Sequence, residues 1–211
     1  MNNTLFITFE GIEGCGKSTQ SQMLYDWMQQ RNIDCVITKE PGSPHIEECK
    51  KIREIVLNPK NKINPTAELF LFLADRAQHV DFIKENLKNG KCVICDRYID
   101  STRAYQSARG FSRSKIDDLL SFAINDLYPD LTVLMDLDVE IGLKRAKRVG
   151  EFEGGDRMEL AEESFHSAVR YNFLQIASSI TDQHRFKVVD ADQTIDTIHK
   201  EIVHAVSRRL W

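Results

Sequence analysis

The octapeptide Gly11–Ser18, GIEGCGKS, constrains this chain more than any other feature. It matches G-x-x-x-x-G-K-[ST] in full. It stands between a short run of strand formers, Leu5–Phe9 (LFITF), and a segment Lys17–Gln30 in which Met23, Leu24, Trp27 and Met28 recur at helical spacing. A strand that turns through glycines into a helix start aims several backbone N–H groups at one point. The helix dipole adds positive charge there, which makes the turn an anion nest. In such a loop the lysine reaches β- and γ-phosphates and the final hydroxyl ligates Mg²⁺. Gly11, Ile12, Glu13, Gly14, Cys15, Gly16, Lys17, Ser18 and Thr19 are therefore expected around a nucleoside triphosphate. The loop alone does not choose between a kinase, a GTPase and a motor ATPase.

The rest of the chain alternates strand and helix patterns. Further strands are expected at Cys35–Thr38, Lys91–Cys95, Leu131–Met135 and Phe186–Val189. Helices are expected at Ile46–Leu57, at Thr66–Asn89 closed by Gly90, near Ser114–Asn125, and at Val139–Val149, Ala161–Ser179 and Ile195–Leu210. DRYIDSTRAYQSARG reads as a polar stretch without an assigned element. Short apolar strands separated by helices predict an α/β fold, a doubly wound five-stranded parallel sheet with helices on both faces. No linker divides residues 1–211, so one domain is expected, with a Gly-rich mobile lid at about 148–158.

Composition narrows the partners. Hydrophobic residues make up 42% and charged residues 28%, ordinary globular usage. The formal net charge of −4 disfavours sequence-independent nucleic-acid binding, which needs surplus cations. No apolar run approaches the roughly 18–20 residues that cross a bilayer, so no membrane role is expected. The start MNNTLFITFEG lacks a charged n-region and a long apolar stretch. A cytoplasmic, reducing compartment is expected. The cysteines at 15, 35, 49, 92 and 95 are odd in number and scattered, against a disulfide framework. Cys92 and Cys95 form a CxxC inside an apparent strand and read as small buried apolar residues rather than zinc ligands.

A second anionic ligand is suggested after the third strand. No Asn-Lys-x-Asp for reading guanine occurs, which disfavours a GTPase. Asp96, Arg97 and Tyr98 follow the strand directly. In doubly wound sheets, ligands gather beyond the carboxyl ends of strands. An arginine there can fork onto a second phosphate, and Asp96 can hold Mg²⁺ through water or orient the acceptor.

Six segments, in order, resemble thymidylate kinases of the bacterial type. They are FEGIEGCGKST (9–19), KEPGS (39–43), ELFLFLADRAQHV (68–80), CDRYIDSTRAYQ (95–106), DLTVLMDLDVEIGLKRA (130–146) and DRMELAEESFHSAVRY (156–171). The resemblance implies a P-loop fold of the nucleoside monophosphate kinase type, and transfer of the γ-phosphoryl of ATP to dTMP, giving dTDP and ADP on the route to dTTP. It implies that Glu13 sits near the sugar 3′-OH and the metal, beside Ser18 and Asp96. Glu40 belongs to the loop lining the dTMP phosphate, which Arg53 and Arg97 would grip. Phe72 would stack on thymine and Arg76 would donate to its O4. Thr102 and Gln106 would face the base edge, with Tyr105 at the sugar. It further implies Mg²⁺ as cofactor and a homodimer.

Phosphoryl transfer brings two sets of like charges together, so closing cations are the expected catalysts. In this family they stand either in the P-loop or in the lid. Gly14 occupies the P-loop position, so the lid is expected to supply them, with Arg148 and Arg157 foremost beside Lys17 and Asp96. The chain departs from the family's REPGG, with Lys39 for Arg and Ser43 for the second Gly, and carries Arg103 where a small or apolar residue is usual. The six histidines show no metal spacing and read mostly as surface or helix-face residues. Asp136 reads as structural. A P-loop kinase acting on dCMP, UMP or a free deoxynucleoside, and a non-catalytic nucleotide switch or nucleic-acid-linked ATPase, are the competing functions.

Overall fold

The computed structural model describes residues 4–146 and 155–211. Strands β1 (Phe6–Glu10), β2 (Cys35–Lys39), β3 (Cys92–Asp96), β4 (Leu131–Asp136) and β5 (Phe186–Asp190) form one parallel sheet in the order β2-β3-β1-β4-β5. The described helices are α1 (Lys17–Gln29), α2 (Glu47–Leu57), α3 (Pro65–Lys88), α4 (Ile99–Ala108), α5 (Arg113–Ile124), α6 (Val139–Ala146), α7 (Glu163–Ala177) and α8 (Ile195–Leu210). None is long and apolar enough to cross a membrane.

Side chains alternate across the sheet because the strand period is two. Ile7, Cys92 and Ile94 join a core with α1, α7 and α8, through residues such as Leu24, Met28, Phe173 and Ile202. Phe6, Val93 and Cys95 join a second core with α3 and α5, through Leu73, Ile83, Ile116 and Leu120. Both faces are thus covered, as the buried apolar strands require. All five cysteines are buried and no disulfide joins them.

Local signals set the helix ends. Asn64 caps α3 by accepting the Thr66 N–H at 2.9 Å, with Pro65 in its first turn. Gly90, at φ 80°, takes the left-handed position after it. Helix α4 is an element the polar stretch did not announce. Its start is held by Glu10, whose Oε1 accepts the N–H groups of Tyr98 at 2.8 Å and Ser101 at 3.1 Å. Seven of its residues are buried, and several of these are polar, so no hydrophobic stripe marks it.

Four of the six histidines, His45, His184, His199 and His204, are exposed or half-buried, whereas His79 on α3 and His166 on α7 are fully buried. Arg103 is also buried, in a charge cluster with Asp100, Asp117 and Asp182. Arg185 also binds Asp100 and Asp182.

Candidate active site

The strand order puts the ends of β3 and β1 side by side. Phe9 pairs with Asp96, and the Arg97 N–H donates to the Phe9 carbonyl at 2.9 Å. The P-loop and the Asp96–Arg97 corner therefore share one rim. A cavity of about 470 Å³ opens there. Of the expected residues, Glu13, Gly14, Gly16, Lys17, Ser18, Thr19, Glu40, Arg53, Phe72, Arg76, Asp96, Arg97, Thr102, Tyr105 and Gln106 line it. Gly11, Ile12 and Cys15 form the buried backing of the loop.

Within the loop, Lys17 Nζ donates to the Ile12 carbonyl at 2.7 Å and to Cys15 Sγ at 3.4 Å. The lysine is folded over its own loop. Gly16, at φ 93°, turns the chain into α1. The Ser18 hydroxyl donates to Asp96 Oδ2. Asp96 Oδ1 is buried and has no hydrogen-bond partner among the described residues.

Glu13 gathers several charged and polar contacts in the cavity wall. Its Oε1 accepts from the Tyr105 hydroxyl and lies 3.3 Å from Arg97 Nη2. His166 Nδ1 lies 3.1 Å from its Oε2. Burial alone would raise the Glu13 pKa, but His166, Arg97 and Lys17 together hold it at about 2. Glu13 is therefore a carboxylate at any ordinary pH. Burial pushes the Tyr105 phenol well above its usual range, so it stays a donor.

Arg97 has φ 71°, uncommon for a residue with a β-carbon. Its conformation is held by several bonds. Nη1 donates to the Gly11 carbonyl and to Ser101 Oγ, each at 3.0 Å, and the guanidinium lies 5.2 Å from the Tyr105 ring centroid. Strain so firmly overdetermined is characteristic of functional positions.

Arg76 is buried in the opposite wall. It donates to Glu40 Oε2 at 2.8 Å, to Thr102 Oγ1 at 2.6 Å and to the Tyr98 carbonyl at 2.8 Å. Phe72, one turn earlier on α3, is half-buried and faces the same space. Gln106 Nε2 donates to Glu68 at 3.2 Å, while its Oε1 has no partner among the described residues. Arg53 Nη1 donates to the Pro41 carbonyl at 2.9 Å, and its side chain fills the space where a β-carbon on Gly42 would stand.

Of the expected catalytic residues, one falls outside the described residues and one outside the cavity lining. Arg148 and residues 147–154 lie outside the described residues. Arg157 does not line the cavity. Its Nε donates to the Val56 carbonyl at 3.0 Å and its Nη2 to Glu68. Lys39 and Arg145, both noted in the sequence, also line the cavity, and sequence reasoning missed several further lining residues: Asp75, Ser101, Asp156 and Glu159. Burial and the charge of Glu40 push Asp75 up to about 6, and it accepts the Gly42 N–H at 3.0 Å. Its helical spacing from Phe72 was the one available signal. Arg145 Nη2 pairs with Asp192 at 3.1 Å.

Asp136 binds Arg170 of α7 through two hydrogen bonds, 2.7 and 3.1 Å. Among the described residues no group of three or more His, Cys, Asp or Glu side chains could hold a metal ion by itself.

Comparison with known proteins adds independent findings. The family model described as Thymidylate kinase matches residues 9–202. A thymidylate kinase from Carboxydothermus hydrogenoformans is 48% identical over 199 residues, covering 93% of this chain and 94% of the relative. One from Halothermothrix orenii is 45% identical over 204 residues, 96% of each chain. One from Pseudomonas fluorescens is 43% identical over 201 residues, 94% of this chain and 92% of the relative.

Proposed function

The chain belongs to the thymidylate kinase family, and on that premise we propose how its rim transfers the γ-phosphoryl of ATP to dTMP, giving dTDP and ADP. The single observation that carries the assignment of roles is the common cavity, in which the P-loop faces Arg97, Phe72 and Arg76.

ATP lies along the P-loop, its phosphates held by the amides of residues 13–19 and by Lys17, which leaves the Ile12 carbonyl to bind them. On the acceptor side, Arg97 and Arg53 bind the dTMP phosphate. Phe72 stacks on the thymine ring, Arg76 donates to O4, and Thr102 and Gln106 face the base edge. Glu13 accepts from the sugar 3′-OH, and Tyr105 packs below the sugar. Glu40 holds Arg76 in place. An oxygen of the dTMP phosphate attacks the γ-phosphorus directly, so the protein supplies position and charge rather than a nucleophile.

Mg²⁺ fits the same rim. The Ser18 hydroxyl already meets Asp96, and the buried, unpartnered Asp96 Oδ1 is an acceptor awaiting a donor or a cation. Ser18 and Asp96, with Glu13 near by, would hold the ion, whose chemistry is to neutralise charge on the β- and γ-phosphates. Arg148 and Arg157, in a lid over 148–158, complete the cationic enclosure. Arg157 must then exchange Glu68 for phosphate.

The chain acts as one domain, in the cytoplasm, as a homodimer. On α3, Phe70 is 54% exposed and Ala74 and Ala77 are exposed beside it, an apolar strip suited to a second copy. The test is ADP release with dTMP, dUMP, dCMP and thymidine side by side. dTMP is expected to be fastest. Faster turnover with thymidine would reject the acceptor assignment, and turnover independent of any nucleotide acceptor would reject the kinase roles.

A further inference from the structure

Behind the wall that carries Arg76, buried side chains form one hydrogen-bonded line, of which the roles above use only the end at Glu40 and Arg76. His79 on α3 is fully buried. Its Nδ1 lies 2.8 Å from Glu40 Oε1 and its Nε2 lies 2.8 Å from Thr38 Oγ1. Thr38 Oγ1 is 3.0 Å from Ser43 Oγ, which in turn accepts the His45 backbone N–H at 3.4 Å. At the other end, Glu40 Oε2 accepts from Arg76 Nε and lies 2.7 Å from its Nη2.

Counting hydrogens gives this line a direction. A guanidinium only donates, and a carboxylate only accepts. Glu40 Oε1 therefore needs its hydrogen from His79 Nδ1. A hydroxyl oxygen can accept twice, so the Ser43 hydrogen decides the direction: its one acceptor among the described residues is Thr38 Oγ1, and the Ser43 hydroxyl donates to Thr38. The Thr38 hydroxyl then donates to His79 Nε2, which must be bare. In the opposite direction the Ser43 hydrogen has no acceptor among the described residues. Only one polarity satisfies every atom, and it runs from Ser43 toward Glu40.

We infer that His79 is a positioning residue for Arg76, acting through Glu40 as the Nδ1–H tautomer, and that Ser43 fixes that tautomer. With one oxygen held by His79 and the other by Arg76, the Glu40 carboxylate cannot rotate. The guanidinium it fixes also meets Thr102 and Tyr98, which leaves one Nη1 hydrogen uncommitted at the cavity. A single fixed donor there selects a pyrimidine with a carbonyl at the 4-position over one with an amino group, because the amino group would oppose donor to donor. Ser43, which stands where the resemblance gives a glycine, thus acquires a function. The inference rests on Arg76 as the base-reading donor.

The experiment measures kcat/KM for dTMP and dCMP, and KM for ATP, in His79→Leu, His79→Gln, Ser43→Ala and Arg76→Ala. Leaving the buried Glu40 oxygen without a donor is costly. His79→Leu is expected to raise the dTMP KM on the order of tenfold and to lower the dTMP-to-dCMP preference, with the ATP KM unchanged. His79→Gln, whose amide keeps a donor and an acceptor, recovers part of the loss. Ser43→Ala, which spares the imidazole and serves if His79→Leu does not fold, shows a smaller shift of the same kind. The double variant Ser43→Ala/His79→Leu is no worse than His79→Leu, because the two lie on one line.

Nitrogen NMR of the His79 imidazole reads the tautomer directly. A proton on Nδ1 alone is expected, and a proton on Nε2 or on both nitrogens overturns the inference. Equal losses for dTMP and ATP also overturn it. An Arg76→Ala enzyme with unaltered dTMP KM overturns the base-reading role and this inference together. Loss in Arg76→Ala with none in His79→Leu or Ser43→Ala overturns the inference alone.

Discussion

The carbonyl oxygen of Gly142 lies 2.0 Å from the point where a β-carbon on Gly14 would stand. The contact is reciprocal, since a β-carbon on Gly142 would come within 2.6 Å of the Glu13 carbonyl oxygen. Helix α6 and the P-loop thus meet backbone to backbone. The loop position that carries an arginine in one branch of the family admits no side chain here.

Gly14→Ala should be the more damaging of the two alanine substitutions, because Gly14 also has φ +70°. Gly142→Ala should cost about 1–3 kcal/mol of stability by overpacking and raise the ATP KM as the loop shifts. Thermal melts and ATP titrations check both. A Gly14→Ala enzyme with native melting and native ATP KM would refute the close packing.

Lys17→Ala should retain its fold and lose phosphoryl transfer. Removing one charge from a preorganised phosphate site typically costs about 100- to 1,000-fold in kcat. Steady-state kinetics beside circular dichroism separate this from unfolding, since the hydrogen bonds of the Lys17 amine among the described residues stay within its own loop.

Arg157→Ala should lower kcat by about 100-fold, with a smaller drop in melting temperature from the lost Glu68 and Val56 contacts. Melting lowered with kcat intact would return Arg157 to a purely structural role.

Acid stability should depend on Asp182. Burial pulls its pKa up, but the hydrogen bond from Arg185 and the charge of Arg103 outweigh it and hold it at about 2, against an ordinary 3.8. A depressed carboxylate stabilises the fold above its unfolded value and loses that contribution as pH falls through the folded one. The wild-type melting temperature should therefore fall between about pH 4 and pH 2, and Asp182→Asn should flatten part of that slope. Parallel slopes in the two proteins would count against the pairing.

The dTMP site should be sensitive to the ring at position 72. Phe72→Ala should raise the dTMP KM on the order of tenfold, with the ATP KM unchanged. An equal change in both constants would point to a packing defect in α3 instead.

The sequence alone determined the strand–glycine–helix cradle, the parallel α/β class and most element positions. Helix α8 spans the same residues, Ile195–Leu210, in both readings. These features are local, written in apolar spacing, glycines and caps within one or two turns of chain. The six ordered segments also carried the family and most of the residues that line the cavity. Helix α4 escaped because burial on nearly every side erases the periodicity that would reveal it. His79 and His166 escaped because nothing near them in the chain signals burial.

Only the tertiary structure decided who meets whom. Tyr105 reaches Glu13 across 92 residues, and Arg97 reaches the Gly11 carbonyl across 86. Those meetings follow from the strand order, which sets β3 against β1. Charges buried together fix one another's protonation and direction, and a linear sequence does not contain the distances on which that depends.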